Sequence, residues 1–247
     1  MERKIRVAAV NYLNTKPLIY GFENGLMQEE IELVTDYPAN IAAMLISSKV
    51  DVALVPVATI PLLKEYYIIS DYCIGTIGEV ASVCLFSDVP LEEIETILLD
   101  YQSKSSVGLL KILLKKYWKI NPVLVAAEKG YEKSIAKNIA GLVIGDRAFV
   151  QSKQSKYIYD LGTAWKEFTG MPFLFAAWIA NKKLSESFFE KFNTANAEGF
   201  KHLPEIISKN ICADYSLEKY YTENINYDLD TEKLNALELY LKYLQEI

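Results

Sequence analysis

Short apolar, β-branched runs alternate with amphipathic helical patterns through the first two thirds of this chain, and that alternation leaves few folds open. The clearest run is Val50-Asp51-Val52-Ala53-Leu54-Val55-Pro56, almost wholly apolar, as a parallel strand covered on both faces has to be. Ahead of it the pattern predicts a strand over Ile5 to Val10, a short helix from Pro17 to Gly25, a strand over Ile31 to Asp36 and a helix from Pro38 to Lys49. Each proline falls just inside a helix start, where its missing N–H costs nothing. A helix near Thr59 to Glu65 and a strand from Tyr67 to Tyr72 come next. The fold class is therefore α/β.

Two runs break the rhythm. Gly75 to Ser87 is long for a single strand, and Phe173 to Ala180 is a second unbroken apolar stretch. Between them the alternation restarts: strand Thr96 to Asp100, helix Ser103 to Trp118, strand Val123 to Ala126, helix Tyr131 to Lys137, strand Gly141 to Gly145. We read the two long runs as crossings between lobes, near residues 85–90 and 172–178. Residues 1–87 and 174–247 then make one discontinuous lobe and 88–173 the other, with a cleft between them. From Ser185 onward the pattern is helical throughout, first Ser185 to Asn210, then a piece near Ser216 to Tyr221. A last amphipathic helix starts at Thr231, with Leu234, Leu237, Leu241 and Leu244 on its apolar face.

Composition narrows the function classes. The formal charge of −6, with no basic run, argues against a general nucleic-acid binder and for a small-molecule partner. Cys73, Cys84 and Cys212 are widely spaced and match no zinc pattern, so they read as reduced thiols in apolar surroundings, and neither a metal nor a cofactor is expected. The apolar run Val7 to Val10 is too short for a signal peptide, and no stretch reaches the roughly 18 apolar residues of a membrane span. A cytoplasmic monomer or homodimer is the expectation.

Candidate chemistry gathers where strands end and helices begin, the usual place for ligands in α/β proteins. In Asn11-Tyr12-Leu13-Asn14-Thr15-Lys16-Pro17 a strand gives way to a helix N-terminus, whose free N–H groups and dipole favour an anion; Asn14, Thr15 and Lys16 add an amide, a hydroxyl and a cation. Gly75 to Ser82 offers close backbone approach at Gly78 and a hydroxyl at Ser82. Ser103-Lys104-Ser105-Ser106 opens a helix with three serines, of which capping explains one. Gly145-Asp146-Arg147 and Thr169-Gly170-Met171-Pro172 complete the set. The sequence carries no nucleophile elbow, P-loop or dinucleotide fingerprint, and its only histidine, His202, stands apart from these segments.

Taken together and in order, Asn11 to Leu18, Gly75 to Val83, Ser103 to Ser106, Ile144 to Asp146, Asp160 to Trp165 and Thr169 to Ala176 resemble the chorismate dehydratase family of the futalosine route to menaquinone. The resemblance runs from about residue 5 to 180 and implies a two-lobed type II periplasmic-binding-protein-like fold, used as an enzyme. It places the family's active-site asparagine and serine on Asn14 and Ser82, and it implies dehydration of chorismate to 3-enolpyruvylbenzoate. Thr15, Lys16, Gly78, Ser103, Ser105, Ser106 and Asp146 are the expected substrate-binding residues. Ser105 stands where threonine is frequent, and Arg147 where a small residue is common. Two alternatives are the sister 1,4-dihydroxy-6-naphthoate synthase, which resembles this chain more distantly and uses a histidine, and a small-anion solute-binding protein, which would need an export signal.

Overall fold

The computed structural model describes residues 3–247 and contains two sheets. Strands β1 (Ile5–Val10), β2 (Ile31–Asp36), β3 (Val52–Pro56), β4 (Tyr67–Thr76), β10 (Phe173–Ala180) and β11 (Asn226–Asp228) form a six-stranded sheet in the order β11-β4-β10-β3-β1-β2. Strands β5 (Val83–Ser87), β6 (Thr96–Leu99), β7 (Val123–Ala126), β8 (Ile139–Ile144) and β9 (Tyr157–Asp160) form a five-stranded sheet in the order β7-β6-β8-β5-β9. The plan repeats in both. Three parallel strands are followed by one antiparallel strand that has come from the other lobe, β10 in the first sheet and β5 in the second.

All eight residues of β10 are buried, because it lies between β3 and β4 and is covered on both faces; hence its unbroken apolar run. The outbound run divides differently from expectation. The run does pass between the lobes, but earlier than expected: β4 ends at Thr76 and β5 begins at Val83, so the chain changes lobes at residues 77–82 and not near 85–90. Val83–Ser87 thus pairs in the second sheet, whereas the sequence pattern assigns it to the first lobe. The physical reason is at Ala81, whose φ of 60° no strand accommodates. The return comes through Gly170–Pro172, directly ahead of β10.

The helices are α1 (Lys16–Glu23), α2 (Pro38–Ile46), α3 (Lys104–Ile112), α4 (Asp146–Ser152), α5 (Leu161–Thr169), α6 (Glu186–Lys201), α7 (Leu203–Lys209), α8 (Leu217–Lys219) and α9 (Thr231–Leu244). Three helix expectations are corrected. Residues 57–62 and 131–134 are short 3-10 turns, and the long tail helix breaks at His202, where Pro204 removes an N–H and starts α7 anew. The tail also holds strand β11 on the edge of β4, a three-residue piece too short to show an alternation. Cys73 and Cys84 are buried thiols, but Cys212 is partly exposed. No helix among the described residues is long and apolar enough to cross a membrane.

One apolar core runs through both lobes, with Trp165, Trp178, Tyr220 and Tyr240 fully buried in it. Helix α9 belongs to neither lobe alone: it packs on β10 and on α3, and the Tyr240 hydroxyl donates to the Ser105 carbonyl at 3.1 Å. Helix α1, which carries the Asn14 loop at its N-terminus, is held against α6 by two glycines. A Cβ at Gly21 would lie 2.2 Å from the Ala195 carbonyl oxygen, and one at Gly199 would lie 1.9 Å from that of Pro17.

Backbone atoms cannot yield as a flexible side chain does. Gly199→Ala is therefore expected to cost about 1–3 kcal/mol or more by overpacking and to lower the thermal midpoint by several degrees, measured by calorimetry.

Candidate active site

The cleft between the sheets opens at the carboxyl ends of β1, β3 and β8 and holds about 570 Å³, counting its mouth. Its walls are mostly apolar, with Val10, Leu54, Ile74, Val80, Ile144 and Phe175 among them. The polar side chains that line it are Tyr12, Asn14, Ser82, Ser103 and Ser106, all neutral. Asn14 and Ser82, far apart in sequence, thus face one space.

Asn14 sits in the 3-10 turn Leu13–Thr15 that feeds α1. Its Oδ1 accepts from the Thr15 hydroxyl at 3.3 Å, and its carbonyl accepts from the Tyr227 hydroxyl at 2.9 Å. An Asn oxygen so engaged leaves the amide N–H groups to serve the cleft. Thr15 is fully buried, makes no cap bond and does not line the cleft; its hydroxyl supports Asn14. Lys16 does not line the cleft either; its Nζ donates to Asn11 Oδ1 at 2.7 Å on the surface.

Ser82 follows the lobe-changing turn, and a buried carboxylate fixes that turn. Asp160, the N-cap of α5, accepts from the N–H groups of Val80 (3.1 Å), Ala81 (2.7 Å) and Thr163 (2.9 Å). Burial pushes the Asp160 carboxyl above its usual range, while these N–H bonds work the other way. The Ser82 carbonyl accepts from Gly145 N–H at 2.8 Å, which ties the turn to the end of β8. Gly78 does not line the cleft; its N–H and carbonyl are both engaged by the Thr76 hydroxyl. The close approach happens instead at Gly162, where a Cβ would lie 2.3 Å from the Gly78 carbonyl oxygen.

The three serines of α3 divide their work. Ser103 caps the helix, accepting from Ser106 N–H at 3.2 Å, and the Ser103 and Ser106 hydroxyls lie 2.9 Å apart at the cleft wall. Ser105 points elsewhere; its Oγ accepts from Ala58 N–H at 3.0 Å and joins the lobes. Asp146, at the start of α4, also joins them, accepting from Leu13 N–H at 3.4 Å behind the lining. Its burial raises the carboxyl above the usual range.

Arg147 is held away from the cleft by charge. Its guanidinium donates to Asp100 (2.6 Å), Glu132 (2.5 Å) and Gln102 (2.7 Å), and Gln102 in turn accepts from the Tyr12 hydroxyl at 2.5 Å. Burial alone would lower the Arg147 pKa, but Asp100 and Glu132 raise it, so the cation is locked and serves to brace Tyr12. His202 is remote from the site, stacked on Tyr20 and flanked by Glu198 and Glu205.

Sequence reasoning missed the hydrogen-bond partner of the Ser82 hydroxyl. The Tyr220 hydroxyl, wholly buried, donates to Ser82 Oγ at 2.7 Å. It comes from the helical tail, which has no local pattern that signals a site.

Two lobes of this topology around a cleft of neutral donors define a periplasmic-binding-protein-like fold, and comparison with solved structures agrees. A protein of Archaeoglobus fulgidus matches with a TM-score of 0.71 at 17% identity, over 98% of this chain and 97% of that one. The periplasmic aliphatic sulphonate-binding protein of Escherichia coli matches with a TM-score of 0.65 at 12% identity, over 100% and 88%. Within that class the sequence is more particular: residues 5–246 match the family model described as menaquinone biosynthesis, and the chain belongs to that family. A curated relative, the chorismate dehydratase of Thermus thermophilus, is 26% identical over 244 residues, covering 89% of this chain and 87% of that protein.

The division among the serines is testable. Ser106→Ala should weaken binding of an anionic ligand several-fold with little change in melting temperature. Ser105→Ala, which leaves the partly buried Ala58 N–H without its protein partner, should cost about 1 kcal/mol of stability. Calorimetric titration and thermal melts of the two variants separate these outcomes.

Proposed function

We propose that this protein dehydrates chorismate to 3-enolpyruvylbenzoate in a futalosine route to menaquinone. The observation that carries the reading is the meeting of Asn14 and Ser82 in one cleft, in a member of a menaquinone-biosynthesis family with a chorismate dehydratase among its relatives.

Chorismate carries a ring carboxylate, an enolpyruvyl ether on C3 and a hydroxyl on C4. Its C3 proton is vinylogous to the ring carboxylate, so its removal spreads charge into an extended dienolate. Loss of the C4 hydroxyl then aromatises the ring. In this reading Ser103 and Ser106, with the first N–H groups of α3, hold the ring carboxylate, and Asn14 and Ser82 donate to the oxygens around C3 and C4. Fixed neutral donors in an apolar cleft stabilise developing charge better than water does, since they need no reorganisation. The proton acceptor is the substrate's own enolpyruvyl carboxylate: it takes the C3 proton and returns it to the departing C4 hydroxide as water. No protein base is required, in keeping with a lining that holds no carboxylate or histidine.

The solute-binding reading is favoured by the fold alone, and it predicts tight binding of a small anion without turnover. Incubation with chorismate decides between the two, by the ultraviolet spectrum of the aromatic product and its mass, one water less. A chorismate analogue without the enolpyruvyl carboxylate should bind and not react. Turnover should be insensitive to chelators.

Asn14→Asp separates a role in turnover from one in shaping the loop. Aspartate suits the same turn, but it removes a donor and sets a like charge against a dianion. The melting temperature should stay nearly constant while kcat for chorismate falls by about a hundredfold or more, the usual worth of one such donor. A folded Asn14→Asp variant with near-normal turnover would remove Asn14 from the mechanism.

A further inference from the structure

The tail reaches both site residues. Its segment from Tyr220 to Asn224 is a π-turn, a local irregularity that is frequent at functional sites. Tyr220 meets Ser82 Oγ at 2.7 Å, Asn224 donates its amide to the Glu79 carboxylate at 3.1 Å in the lobe-changing turn, and Tyr227 holds the Asn14 carbonyl at 2.9 Å. Three side chains within eight positions thus fix the two segments that the reaction uses, and none of the three lines the cleft.

We propose that Tyr220 is a positioning residue: it donates its phenol hydrogen to Ser82 Oγ and so leaves the Ser82 hydrogen to point into the cleft. The argument is an inventory. A serine hydroxyl has one hydrogen and two lone pairs, and a phenol is the stronger acid of the pair, hence the donor. With a lone pair of Ser82 taken by Tyr220, its hydrogen is left for the cleft that Ser82 lines, where the proposed reaction places a substrate oxygen. The ring is clamped by Phe149 at a centroid distance of 5.0 Å and by Tyr215 at 6.3 Å, which leaves it little freedom to swing away.

This inference rests on the proposed reaction for its kinetic consequence but not for its structural one, and the test has an arm for each. Tyr220→Phe keeps the ring and should fold with a melting temperature within a few degrees of wild type. Its kcat for chorismate should fall about tenfold, the worth of one hydrogen bond, with KM little changed. In a Ser82→Ala background the same change should cost nothing further, whereas a merely packing role would give additive losses.

The second arm needs no substrate. Ser82→Cys in a Cys212→Ser background places a thiol on the cleft wall opposite the phenol, while Cys73 and Cys84 do not line the cleft. A donated hydrogen bond stabilises the thiolate, so adding Tyr220→Phe should raise the thiol pKa by about half a unit or more, read as slower alkylation by a small neutral reagent at matched pH. Failure of wild type to consume chorismate would overturn the functional reading alone. An unshifted thiol, or additive losses in the double variant, would overturn the role of Tyr220.

Discussion

A buried carboxylate that gathers three backbone N–H groups holds the point where this chain passes from one lobe to the other. Asp160 caps α5 through Thr163 and, in the same bonds, fixes Val80 and Ala81. Ala81 takes a left-handed φ of 60°, which costs an L-residue with a side chain roughly 1–2 kcal/mol, and charge-assisted bonds of this kind offset that cost. From this turn follow the start of β5, the bond from Gly145 to the Ser82 carbonyl, and the direction in which the Ser82 hydroxyl leaves the backbone.

The electrostatic design of the cleft is one of exclusion. Asp100 and Glu132 neutralise Arg147 behind the lining, and Asn11 occupies Lys16. What remains are hydroxyls and an amide set in apolar walls. A free cation would bind a dianion strongly before and after the reaction alike, which does not speed a step. In the proposed reaction, neutral donors placed where charge develops would favour the intermediate over the substrate.

The lobes are also joined more firmly than a free hinge requires. Ser105 to Ala58, Asp146 to Leu13, Tyr12 to Gln102 and Tyr240 to the Ser105 carbonyl all cross between the lobes or bind α9 to both. These bonds, each worth only about 1 kcal/mol net, add to the apolar core that both lobes share.

By itself the sequence determined the α/β class, the buried parallel strand β3 and the return strand β10, because burial on both faces writes an apolar run that needs no partner to be read. It also singled out Asn14, Ser82, Ser103 and Ser106, since strand ends and helix starts are local events with local composition. Only the tertiary structure decided that Ser105, Lys16, Gly78 and Asp146 stand outside the lining, that the run from Gly75 to Ser87 breaks at Ala81, and that Tyr220 completes the site. A hydroxyl says nothing of which neighbour it will meet. Ser105 finds Ala58, 47 residues away, and Ser82 finds Tyr220, 138 residues away, and such pairs exist only once the two sheets and the tail have packed.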